Sequence, residues 1–172
     1  MRLLIFNVLL TLLPLAAFGQ MTEFEVRKMV SNASEQELVV ACSQMIQDNY
    51  LYHAEIVADK LLTLQPESSN YNYRKGYIVL AARKDFIVAI RHLQIAIRET
   101  SKNYDMYSRR ETSAAVDAYY HLARCYHMNE EIGKAKEHYQ FFIDNSAKKS
   151  ELVSKSELGL VQCNVAKYNL AH

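Results

Sequence analysis

Apolar residues recur along this chain at the three- and four-residue intervals of amphipathic helices. The intervals predict three helix pairs followed by a closing helix. Ser34–Glu37 reads SEQE, the Ser-x-x-Glu form of a capping box, and Leu38, Cys42, Met45 and Ile46 then fall on one helix face. A second helix carries Ala54, Ile56, Val57, Leu61 and Leu64 and is expected to stop near Pro66, whose ring cannot continue it. After ESSN comes a helix with Tyr73, Gly76, Tyr77 and Leu80, partnered by one from about Phe86 to Ile97. The third pair spans about Ala114–Met128 and about Ile132–Asn145, and the last helix about Glu151–Asn169.

The second helices of the pairs repeat one another. When YLYHAEIVADKLLTLQP, KDFIVAIRHLQIAIRE and EEIGKAKEHYQFFID are aligned, Ala54, Ala89 and Ala135 coincide. So do Ala58, Leu93 and Tyr139, and then Leu61, Ala96 and Phe142. The first two alanines are 35 residues apart and the next step is 46, so the third unit follows an insertion, placed in the polar segment TSKNYDMYSRRET. Alanine at a helix crossing lets two antiparallel helices approach where a larger side chain would separate them. One such pair cannot bury its apolar face alone, whereas stacked pairs bury a continuous core. Gly76 lies inside a helix at a cost of about 1 kcal/mol against Ala, which points to close backbone packing there. The expected architecture is all-α, a superhelical stack of antiparallel pairs with units at about 34–67, 70–100 and 114–146 and a cap at about 151–169.

Composition narrows the function classes. Arg2, the apolar run LLIFNVLLTLLPLAAF and the small Ala17 and Gly19 read as a secretory signal peptide over 1–19, cleaved before a domain of 20–172. The alternative is an uncleaved anchor, though the run is short for a full span of about 20 residues and Pro14 interrupts it. Of the 20 Lys and Arg, only Arg2 lies in this leader, leaving 19 against 19 Asp and Glu. With no basic excess, nucleic acid is not expected as a partner. An exported protein could oxidise its three cysteines, but Cys42, Cys125 and Cys163 sit at small-residue positions of helical patterns. They read as buried apolar side chains, with a Cys125–Cys163 disulfide as the alternative.

The third unit resembles a tetratricopeptide repeat (TPR), whose pattern is W-x2-L-G-x2-Y, then A-x3-F, then P. Tyr119 stands for the Trp, Leu122 for the Leu, Ala123 for the Gly and Tyr126 for the Tyr, with Ala135 and Tyr139 in the second helix. The first unit keeps Ala54 and Pro66, with Leu38, Ala41 and Cys42 as looser substitutes. The second keeps Tyr73, Ala89, Leu93 and Ala96, with Gly76 one residue out of register. More narrowly, NYNYRKGYIVL, AIRHLQIAI, TSKNYD and DAYYHLARCYHMNEEIGKAKEHYQFF resemble the N-terminal TPR region of Bacteroidetes OmpA-like envelope proteins. In that family the region precedes β-propeller repeats and a peptidoglycan-binding domain, and some members serve gliding or type IX secretion machinery. This sequence has neither downstream domain, so peptidoglycan binding is not implied.

Those resemblances imply a non-catalytic scaffold of the cell envelope, exported to the periplasm, with association with the outer membrane as one arrangement they allow. Its protein or peptide partner would lie along the concave face lined by the first helix of each pair. Arg74 and Ile78 in the second unit and Tyr120, Arg124 and His127 in the third are the expected groove residues, because the helical register turns them outward. The competing reading is an exported hydrolase or metal-dependent enzyme. His121 and Cys125 are four apart, with His127 and His138 near, but the paired ligand spacing of a structural zinc site is missing. Ser146-x-x-Lys149 is a lone match to the start of a serine β-lactamase motif, whose other signatures are missing. No phosphate-cradling Gly loop is present, and no cofactor or metal is expected.

Overall fold

The computed structural model describes residues 21–82, 85–146 and 150–169. The leader at 1–19 lies outside them, as does Lys149 of the Ser146–Lys149 match. Among the described residues the chain forms eight helices and one short parallel strand pair. The helices are α1 (Glu23–Asn32), α2 (Glu35–Gln47), α3 (Leu51–Leu64), α4 (Ser69–Ala81), α5 (Phe86–Ala96), α6 (Asp117–Met128), α7 (Ile132–Asn145) and α8 (Glu151–Asn169). The strands β1 (Thr100–Ser101) and β2 (Ala114–Ala115) lie between α5 and α6. Each helix packs on its chain neighbour in the order α2–α3, α4–α5 and α6–α7, and α8 closes on α7 and α6.

All nine aligned repeat positions are buried, none more than 4 % exposed. Ala54, Ala89 and Ala135 are each fully buried. A Cβ on Gly76 would stand 2.6 Å from Leu93 Cγ, so the first and second helices of that pair meet where only hydrogen fits. Gly159 plays the same part between α8 and the ring of Tyr139, at 2.7 Å. The turns repeat as well. Asn49 and Glu130, which follow the first helices of the first and third pairs, take φ of 61° and 62°. The next amides, of Tyr50 and Glu131, then reach back to Met45 O (2.8 Å) and Tyr126 O (2.9 Å), closing the same left-handed helix end in both units.

Three expectations need correction. Helix α1 was not anticipated. It is opened by a second capping box, Thr22 with Glu25, and packs on α3 through few apolar side chains, Val26 and Val30 being its buried ones. Leu64 is 46 % exposed, because it falls in the last turn of α3, beyond the core. Helix α6 begins at Asp117 rather than near Ala114, since the Ala114 amide is bonded to Glu99 O (2.8 Å) and its segment pairs with β1. The capping box at Ser34 is present, with Glu37 accepting from the Ser34 amide at 2.7 Å. Cys42, Cys125 and Cys163 are buried thiols.

Candidate functional site

The stretch between β1 and β2 does not project into solvent. It folds back across the first helices of the first two pairs, and polar side chains on those helices hold its main chain. Gln36 on α2 donates to Tyr107 O (2.9 Å) and accepts from the Arg109 amide (3.2 Å), a two-way grip on extended backbone. Ser43 donates to Met106 O. On α4, Asn70 donates from its side chain to Glu111 O (2.8 Å). Its own amide, which has no partner within the first helical turn, is satisfied by Thr112 O (3.1 Å). Tyr104 and Tyr107 anchor the segment through their hydroxyls, to Asn70 Oδ1 (2.8 Å) and Gln47 Oε1 (2.5 Å).

Arg74 stands at the centre of this arrangement. It is 1 % exposed, so the outward orientation expected from the helical register is not available to it: the first pair and the returning segment enclose it. Its Nε donates to Asn70 Oδ1 (3.0 Å), Nη1 to Ser43 Oγ (2.7 Å) and Val39 O (3.4 Å), and Nη2 to Met106 O. Ile78 is also buried, within the core of the first pairs. Tyr120 is buried as well, packed beside Tyr139 (6.2 Å) and Phe142 (5.8 Å). Arg124 and His127 remain half-exposed and come together, lining with Tyr139 and Gln162 a shallow depression of about 330 Å3. The Arg124 guanidinium lies 5.7 Å from the Tyr120 ring centroid, which holds its stem in place.

Beside the returning segment a cavity of about 410 Å3 remains on the same face. Tyr73, Tyr77, Tyr104, Asp117, His121 and Arg74 contribute to its wall. The His121 ring meets Tyr77 edge-on at 5.1 Å and Tyr73 at 6.2 Å. His121 is 7 % exposed and its Nδ1 has no hydrogen-bond partner. Burial, with the positive charge of Arg124 added, lowers its pKa to about 3, so the ring is neutral. Burial alone raises the Asp117 carboxyl above its ordinary range, and no cation among the described residues pairs with it. Burial also raises the Tyr104 phenol to about 12 and Tyr73 well above its usual value.

The candidate metal ligands do not converge. Among the described residues no group of three His, Cys, Asp or Glu is placed to hold a metal ion. His138 instead stacks on Tyr126 (5.4 Å, 8°), and His127 meets Tyr139 edge-on. Tyr119, at the position of the repeat's Trp, stacks on Phe141 at 4.0 Å. The rings of Tyr119, Phe141, Tyr126 and His138 act as packing. Among the described residues no helix is long and apolar enough to cross a membrane.

No protein-family model and no curated protein matches the sequence. The fold is similar to the solved structure titled "MamA RS-1 ArsTM double mutant", with a TM-score of 0.56 over 95 % of this chain and 94 % of that one, at 15 % identity. At that identity the likeness concerns the fold alone. The chain is an all-α, TPR-like solenoid: a right-handed superhelical stack of antiparallel helix pairs closed by a C-terminal helix.

Proposed function

We propose that this protein is a non-catalytic scaffold of the cell envelope. It takes an extended protein segment along the face built by the first helices of its pairs. The observation that carries this reading is the grip of Gln36, Ser43, Asn70 and Arg74 on the main chain of the 104–112 stretch. Contacts to carbonyls and amides are indifferent to side-chain identity, so a face that holds this chain's own extended backbone suits a partner's where it stays open, at the third pair. Arg124 and His127, half-exposed at the third pair, are the partner contacts in this proposal, while Arg74 organises the face from beneath. Export to the periplasm and kinship with the TPR region of OmpA-like envelope proteins rest on the leader at 1–19 and the sequence resemblance.

Affinity capture from an envelope fraction tests the reading. Wild-type protein is expected to retain a specific partner. Arg124→Glu, which removes no hydrogen bond of the network around Arg74, is expected to retain it about tenfold less, the loss typical of an interface arginine worth more than 1 kcal/mol. Helicity should be unchanged. Equal retention by the variant would reject the Arg124 contact, and absence of any retained protein would reject the scaffold.

A further inference from the structure

The cavity beside the returning segment has a chemical bias, and this inference rests on the scaffold reading by naming what such a partner would present there. Asp117 brings a carboxylate with no cation paired to it among the described residues, and the His121 ring, its Nδ1 sealed away from the cavity, closes the wall edge-on to Tyr77. Three phenol rings, of Tyr73, Tyr77 and Tyr104, add electron-rich faces. Tyr73 and Tyr104 are themselves edge-on to one another at 5.6 Å, so two walls of the cavity are held in fixed orientation. Among the described residues Arg74 is the one cation in the wall, and each of its three nitrogens already donates to Asn70, Ser43, Val39 or Met106.

We propose that this cavity receives the ammonium group of a lysine side chain from the partner segment, with Asp117 as its acceptor and the tyrosine rings around it. A primary ammonium has three donors and no acceptor, which suits an unpaired carboxylate and a π surface. A quaternary ammonium offers no donor, and a carboxylate would face Asp117. The thin aliphatic stem of lysine suits the apolar walls supplied by Ile46, Met106 and Leu152.

The test is a titration of the full chain with n-butylammonium, the lysine side chain without its backbone, followed by NMR at the rings of Tyr73, Tyr77, Tyr104 and His121. Saturable shifts confined to these rings are expected. Asp117→Asn should weaken them about tenfold, and Tyr77→Leu, which keeps the charge, should weaken them severalfold. Both variants should keep the far-UV circular dichroism of the wild type, and if Asp117→Asn does not fold, Tyr77→Leu decides alone. Shifts with butyrate instead of butylammonium, equal affinity for tetramethylammonium, or an undiminished response in the variants would each overturn the proposal. Capture of a partner without amine binding would refute this site and leave the scaffold standing. Amine binding without a captured partner would do the reverse.

Discussion

Arg74→Glu is expected to destabilise the fold by about 4–5 kcal/mol, in the range reached when an unpaired charge is buried. In the wild type the guanidinium donates to two carbonyls, a hydroxyl and an amide oxygen. A carboxylate at the same place would accept only, and would face Val39 O, Met106 O and Asn70 Oδ1 with nothing to donate to them. Water is excluded there, so the repulsion is not screened. The segment over the first two pairs should be the first part to leave. It carries exposed Lys102, Arg109 and Arg110. Trypsin should therefore cut the variant within 102–110 well before it degrades the helices, while the wild type resists at the same sites. Urea titration gives the loss of stability. A variant as stable as wild type, with the segment still protected, would remove Arg74 from the centre of the face.

The second large effect is a pH dependence that His121→Phe abolishes in part. In the unfolded chain the imidazole takes up a proton near pH 6.5, whereas burial keeps the folded ring neutral down to about 3. Between those values the unfolded state binds more protons, so stability falls as the pH falls through 6.5. From this residue the loss between pH 6.5 and 5 is about 2 kcal/mol. His92 and His138 are shifted in the same direction by burial, so part of the dependence survives the substitution. The phenyl ring keeps the edge-on contacts with Tyr77 and Tyr120 and has the neighbouring cavity to relax into. Chemical denaturation at several pH values above 5 should show the wild type losing stability faster than the variant. Parallel curves for the two proteins would mean that His121 meets water.

Much of this architecture could be read from the sequence because the interactions that set it are local and periodic. Ala54, Ala89 and Ala135 mark the crossings, and each is sealed in the core. The Ser34–Glu37 box and the breaks near Pro66 and Asn145 mark helix ends. Helix α1 was missed because only Val26 and Val30 of its ten residues are buried, too few to make a stripe, though Thr22-x-x-Glu25 was available as a start signal.

The face was misread for a different reason. Periodicity states which residues share a side of a helix, but not what covers that side. Ile78 is covered by the core of the first pair, and the layer over Arg74 and Gln36 comes from a segment about thirty residues further on in Arg74's case and seventy in that of Gln36. Apart from the Tyr104 and Tyr107 hydroxyls, its contacts run mainly from helix side chains to main-chain atoms, which leave no pattern in the segment's own sequence. The polar residues Gln36, Ser43 and Asn70 on otherwise apolar helix faces were the one visible hint. Gly159 carries no local signal for the same cause: its neighbour is Tyr139 of another helix.

The account depends on the first-helix face being a receptor for extended backbone, and a peptide supplied separately tests it most directly. Residues 104–111 are replaced by an equal length of Gly and Ser, and a synthetic peptide of residues 102–113 is titrated into the folded product by calorimetry. The expected result is saturable one-to-one binding. A folded variant that ignores the peptide would contradict the account, because the grip of Gln36, Ser43, Asn70 and Arg74 would then be a consequence of chain connectivity alone.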